Sequence, residues 1–242
     1  MADSAAAQPG SDAEILRSSK RSGVVYVFVC GLISVALLGI YVVFSWGMGD
    51  LYGYKVRYAL EQWQEKPAFP SVEEVAVTLA DVDSALRWEG DNPEYVELKG
   101  RVLYYRALVV GFNEQGLVDI AEAKALHQKA ISLRPRWPYS WANLVLVKAY
   151  LNEFDEEYHQ ALISAVTYGP WEKSVHLTLA HAAALSWPSL SLEQKRLFAR
   201  NIERGMVRTL PEEDAILSAY QKKTSICAYL TRDYLQNKLC SS

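Results

Sequence analysis

The stretch Val24–Phe44, VVYVFVCGLISVALLGIYVVF, constrains this chain more than any other. It holds no charged residue, and Gly31, Ser34 and Gly39 are its only departures from apolar character. At 1.5 Å rise per residue a helix of this length reaches about 31 Å, close to the ~30 Å hydrocarbon core of a bilayer. Backbone amides in lipid must pair within their own segment, so the stretch is expected to form a membrane-spanning helix, with the anchor over 24–46. The other reading, a buried core helix, would carry some polar residues.

The flanks orient that span. Arg17, Lys20 and Arg21 crowd its N-terminal end with no acid between Arg17 and Val24, whereas Ser45–Val56 carries only Asp50 and Lys55. The excess of basic residues on one side places residues 1–23 in the cytoplasm and the rest of the chain across the membrane. Trp46, Tyr52 and Tyr54 suit the far interface, where amphipathic rings sit at headgroup level. A cleaved signal peptide is the rival, with Ser45-Trp46-Gly47 as a small-x-small site. The apolar run exceeds the core of such a signal, about 7–15 residues, which favours an uncleaved anchor. Four residues after Gly31 comes Val35, so helix pairing through G-x-x-x-G is not indicated.

Residues 1–23 are rich in Ala, Ser, Gly and Asp, with almost no large apolar residue before Ile15. Such a segment cannot bury enough surface to order itself and is expected to be a disordered tail. Beyond the anchor about 190 residues remain, enough for one domain with its own core. A formal net charge of −3 argues against nucleic acid as a partner.

Residues 47–70 read as a juxtamembrane helix and linker. Gly47-Met48-Gly49 marks a break, Leu51–Glu65 a helix, and Lys66-Pro67 its end. The remaining stretch, 71–242, reads as a helical repeat domain. Ser71-x-x-Glu74 is a capping box, and Val72, Val75, Leu79, Val82 and Leu86 then make one apolar stripe. Asn92-Pro93 opens the next helix. Prolines that open or close helices recur at 93, 135, 170 and 211, at intervals of 42, 35 and 41. Between them lie paired helical segments. Leu98, Val102, Tyr105 and Val109 mark one helix and Ala123, Leu126, Ala130 and Leu133 its partner. Trp141, Leu144 and Leu151 mark a helix followed by one with Tyr158, Leu162 and Ala165, and Val175, Leu179 and Ala182 mark one followed by Phe198, Ile202 and Met206. Periods of this size point to stacked helix hairpins, each needing its neighbours to bury its face. The expected fold class is all-α: one transmembrane helix followed by an α-solenoid.

Ala130-Ile131-Ser132-Leu133-Arg134-Pro135 resembles the end of a tetratricopeptide unit, A-[LI]-x-L-x-P, and Trp141-Ala142-Asn143-Leu144 with Ala149-Tyr150 resembles that family's first helix. The gap between those two groups is two residues too long, and no glycine marks the inter-helix turn. The likeness covers about 90–210 and implies degenerate helix hairpins without implying a ligand. A second resemblance rests on Arg134-Pro135-Arg136-Trp137-Pro138, Trp141-Ala142-Asn143-Leu144 and Gly169-Pro170-Trp171-Glu172 behind a single anchor. In these the chain is similar to VpsP-type accessory proteins of bacterial exopolysaccharide biosynthesis. That likeness implies a single-pass inner-membrane protein with a periplasmic domain, working beside polysaccharide synthesis or export machinery. It carries over no catalytic residue.

Motifs for chemistry are sparse. His176 and His181 are five apart and fall on different helix faces, so a shared metal is not expected, and neither is a cofactor. The pairs Glu73-Glu74, Glu156-Glu157 and Glu212-Glu213 sit in first helical turns, where they complement the helix dipole. Trp137, Trp141, Trp171 and Trp187 near hairpin ends suit core packing or glycan stacking, and their exposure decides between the two. Asn143 lacks the lysine four residues earlier that would complete a carboxylate-binding clamp.

One charged feature is stronger. Arg196, Arg200, Arg204 and Arg208 recur every four residues on a helix opened by Ser191, forming a basic ridge whose members repel by a few tenths of a kcal/mol per pair. It is either a solvated face relieved by acids such as Glu193 and Glu203, or a site for an anionic partner: an acidic protein, a charged glycan or lipid headgroups. Cys227 and Cys240 lie beyond the anchor, where an oxidising compartment permits a disulfide. Thirteen residues of straight helix would hold them about 20 Å apart, so a bond requires a turn near Thr231-Arg232-Asp233; two free thiols are the alternative.

These readings converge on a non-catalytic, membrane-anchored scaffold or regulator of exopolysaccharide assembly acting through protein contacts. An adaptor or assembly chaperone of another envelope complex, or a glycan-binding subunit, is the alternative.

Overall fold

A computed structural model describes residues 11–65 and 68–241, excluding the side chains of 11–24 and of Glu65. The described residues are mainly helical, with no strand among them. The chain divides into two compact units, Met1–Met48 and Gly49–Ser242.

Helix α1 (Ser11–Glu65) contributes to both. Its start lies inside the segment expected to be a disordered tail. Residues 1–10 are outside the described set, but 11–23 already have helical backbone. Glu14, Ile15, Leu16 and Arg17 tolerate helix, and adding turns to an existing helix avoids the cost of nucleation. Arg17, Lys20 and Arg21 belong to the described backbone but not to the described side chains. Through the apolar stretch Val27, Val35, Leu38 and Ile40 are each more than 60% exposed. This helix is long and apolar enough to cross a membrane.

The expected break at Gly47-Met48-Gly49 does not occur, since α1 runs through it. Gly49 and Gly53 serve packing instead. A Cβ on Gly53 would fall 2.5 Å from the Tyr95 ring, and one on Gly49 would lie 3.1 Å from Glu89. Lys66 and Pro67, expected to end the helix, are outside the described residues. Tyr52, expected at the membrane interface, packs against the domain's first apolar cluster with Lys55 over its ring.

In the second unit that cluster joins Val56, Leu60 and Trp63 of α1 to α2 (Val72–Trp88) and α3 (Pro93–Val110). The capping box forms at Ser71 and Glu74, with the Ser71 hydroxyl accepting from the Glu74 amide and the Glu74 carboxylate accepting from the Ser71 amide. Asn92 caps α3, with Pro93 at its first position, where its missing N–H costs nothing. Gly111, at φ +84°, closes α3 in a conformation that side chains other than glycine resist.

Five further α-helices and a short tail follow: α4 (Glu114–Leu133), α5 (Pro138–Tyr150), α6 (Glu156–Tyr168), α7 (Lys173–Ser186), α8 (Leu192–Ala219), α9 (Lys223–Cys227) and α10 (Tyr234–Cys240). Helices α3 and α4, α5 and α6, and α7 and α8 pack as pairs. Each pair also touches the next, through α4 on α5, α5 on α7 and α6 on α8. One continuous core runs beneath them, from Leu103 and Ile120 through Leu144, Tyr158 and Leu179 to Phe198 and Leu217.

Candidate interaction surface

The α8 helix begins at Ser191 with a second capping box, closed by Gln194. Its inner face buries Phe198, Ile202 and Met206, which turns Arg196, Arg200 and Arg208 outward into solvent. Arg204 sits at the edge of that face, half-buried, and donates to the Val166 carbonyl of α6 at 3.4 Å. A guanidinium there complements the negative C-terminal end of α6. Leu192 and Val207 lie exposed beside the arginines at 54% and 65%. Among the described residues no carboxylate lies within 4 Å of any of the four guanidinium groups. The two acids expected to relieve them are engaged elsewhere. Glu203 accepts the Thr231 amide, and Glu193 lies 3.9 Å from His159.

Pro211 follows a kink in α8, where Thr209 leaves the helical region at φ −129°, ψ 20°. The acids after it diverge. Glu212 holds Lys173 at 2.8 Å, which draws its pKa below the usual carboxylate range. Glu213, expected in a solvated first turn, is instead fully buried, because the kink swings it back against Gly205. Neither of its carboxyl oxygens has a hydrogen-bond partner among the described residues, and burial pushes its pKa up to about 9. A Cβ at Gly205 would fall 2.0 Å from Glu213 Oε1, so this glycine makes the room.

The four histidines stay apart. His176 Nδ1 lies 3.0 Å from Asn201 Oδ1, and His181 meets Tyr220 edge to face. His159 faces Glu193, as above. His127 is buried against Gly100 with neither ring nitrogen partnered among the described residues, and burial pulls its pKa down to about 3.

The tryptophans divide. Trp187 is buried at 5%. Trp137 and Trp141 are half-buried and locally engaged: Arg134 lies over the Trp137 ring at 3.6 Å, and Trp141 Nε1 donates to the Pro135 carbonyl at 2.8 Å. Trp171 alone of the four is widely exposed, at 62%. Asn143 turns inward and donates to the buried Glu97 at 2.7 Å. No sequence motif singles out Lys148, whose side chain is 1% exposed and whose ammonium meets Glu157 at 2.6 Å, Asp155 at 2.9 Å and Glu153 at 3.2 Å. A lone lysine in the apolar run VLVKAY, followed by the acids Glu153, Asp155, Glu156 and Glu157, was the available signal.

Cys227 and Cys240 form a disulfide with their Cα atoms 5.9 Å apart. The chain first turns at Gln221, at φ +56°, just after α8 ends. It turns again between α9 and α10, and α10 folds back onto α8 and α9 with Leu239 fully buried.

Comparison with protein families, with curated proteins and with solved structures finds no match to this chain.

Proposed function

We propose that this protein is a membrane-anchored, non-catalytic scaffold whose helix pairs form a degenerate tetratricopeptide-like solenoid. The observation that carries the reading is the exposed row Arg196, Arg200 and Arg208 on α8, which has no acid within 4 Å among the described residues. Like charges at four-residue spacing weaken an isolated helix slightly, so the row is better explained by a partner than by the fold. Side-by-side helix pairs offer long surfaces suited to protein contacts. The engagement of Trp137 and Trp141 within their own hairpin supports a scaffold over a glycan-binding subunit.

Anchoring rests on the exposed apolar length of α1, and the basic residues before it support a cytoplasmic N-terminus with the helical domain in the periplasm. Alkaline phosphatase fused after Ser242 is therefore expected to be active; an inactive fusion with a bright C-terminal fluorescent fusion would reverse the topology.

The resemblance to VpsP-type proteins supplies the system, exopolysaccharide synthesis or export. In a strain lacking this chain, secreted polysaccharide should fall and be restored by the wild type, but not by Arg196→Ser/Arg200→Ser/Arg208→Ser at equal abundance. Unchanged output in the deletion strain would reject the polysaccharide role, and full rescue by the triple variant would reject the arginine row as its working surface.

A further inference from the structure

We propose that α1 pairs with α1 of a second copy of this chain, in parallel, through a seam formed by Leu51, Tyr54 and Tyr58. These residues follow one another by three and then four positions, the spacing of a coiled-coil seam. They are 52%, 61% and 55% exposed, while the opposite side of the same helix buries Val56 and Leu60 completely and Trp63 nearly so. The seam residues therefore form a second apolar face beyond the one that joins the domain core. The Tyr54 and Tyr58 rings stack on that face, 6.5 Å apart and 22° from parallel, giving a flat aromatic surface. Glu61, one seam position further on, is exposed and charged, and ends the stripe.

Charge identifies the occupant. With Leu51 and Tyr58 at the first seam position of the heptad and Tyr54 at the second, Asp50 and Lys55 fall on the two flanks. In a parallel pair a residue on one flank faces the residue five positions later on the opposite flank of the other helix. Asp50 of one copy thus meets Lys55 of the other, and symmetry makes the contact twice. Within one chain Asp50 is bonded by Arg57 at 2.7 Å yet stays 69% exposed, with Arg57 shared with Glu94 at 2.9 Å, and Lys55 is 52% exposed and 3.6 Å from Asp81, so both keep solvent-facing charge for a second copy. The parallel sense rests on the proposed anchoring, since two copies anchored alike enter from the same side. Leu51 to Tyr58 spans only two turns, so the contact is weak in solution and gains its effect from confinement of both copies to one membrane.

The test uses the full-length chain in native membranes, with Cys30→Ser so that an introduced thiol is the reporter. Leu51→Cys, Tyr54→Cys and Tyr58→Cys are compared on mild oxidation with Val77→Cys, which is 64% exposed on α2. The seam positions should give a cross-linked dimer at least tenfold more readily than position 77. Asp50→Lys in the Tyr54→Cys background should cut that yield severalfold, and adding Lys55→Asp should restore it. Equal reactivity at position 77, adducts with a protein of different mass, or no effect of Asp50→Lys would each overturn the seam. Membrane fractionation of the same samples reads the anchoring separately, because a chain in the soluble fraction that still cross-links at the seam would retain the pairing and lose the anchor.

Discussion

Lys148 in the middle hairpin and Glu213 in the last are both ionisable side chains withdrawn from water, and their surroundings differ completely. Burial opposes the Lys148 charge, but the hydrogen bonds it donates to Glu157, Asp155 and Glu153 outweigh it and hold its pKa above the ordinary lysine value. Its partners keep part of their surface in solvent, so the group stays charged at modest desolvation cost. Glu213 has no such partner and stays protonated instead. The middle hairpin thus uses a buried charge as a tie, joining the end of α5 to the start of α6. Lys124 and Gln128 extend that tie to α4, through Glu153 at 2.7 Å and Glu157 at 2.7 Å. The last hairpin contains a buried acid at a kink and is closed beyond it by a covalent cross-link.

The largest effect should come from removing the tie. Lys148→Met leaves three carboxylates crowded around an apolar side chain and should cost about 3 kcal/mol, at the low end for a broken buried pair because those acids are partly solvated. Urea unfolding of the domain at pH 7 measures it, and an unchanged midpoint would show that the acids, not the lysine, organise the turn.

A smaller loss, about 2 kcal/mol, is expected when Cys227→Ser and Cys240→Ser open the terminal loop. It should be confined to the end of the molecule, with faster amide exchange in α9 and α10 and little change in α5 and α6. Uniform loss across the domain would mean that the two hairpins are one cooperative unit.

Glu213→Gln should act in the opposite direction and raise stability, on the order of 1–2 kcal/mol at pH 8. The folded pKa of about 9 lies above the ordinary glutamate value near 4.5, so the native state holds the extra proton between those limits. Wild-type stability at this site is therefore complete below about pH 4.5 and falls as pH rises toward 9. The variant should flatten that slope. In the middle hairpin Glu153 and Asp155 have lowered pKa values, so its tie is lost as pH falls through them, and acid should weaken one hairpin while favouring the other. Thermal unfolding from pH 2 to pH 9 reads both, the tie at the acid end and Glu213 above about pH 4.5, and a variant that keeps the wild-type slope would show that Glu213 is not the group responsible.

Local grammar was legible in the sequence. Ser71 with Glu74, Asn92 with Pro93, and Ser191 open helices because a cap acts on an amide two or three residues away, well within reach of a sequence pattern. The uncharged run from Val24 to Phe44 was equally plain, since length and composition alone bear on whether a helix can span lipid. The turn that brings Cys227 to Cys240 could be stated as a requirement, because two residues thirteen apart on a straight helix cannot be bridged.

What only the tertiary structure decided depends on partners far apart in the chain. Gly49 read as part of a helix break and Gly53 as an ordinary position within a helix, yet both are close-approach positions, because Tyr95 arrives more than forty residues later. Glu213 read as a solvated first-turn acid until the kink at Thr209 turned it onto Gly205. Arg204 read as one of four equivalent arginines and became distinct when the end of α6 came alongside it. Leu51, Tyr54 and Tyr58 followed a helical spacing that any core face could share, and only the burial of Val56, Leu60 and Trp63 on the other side left them outside. Caps and spans are properties of a few consecutive residues, whereas burial is a property of whatever the rest of the chain places against them.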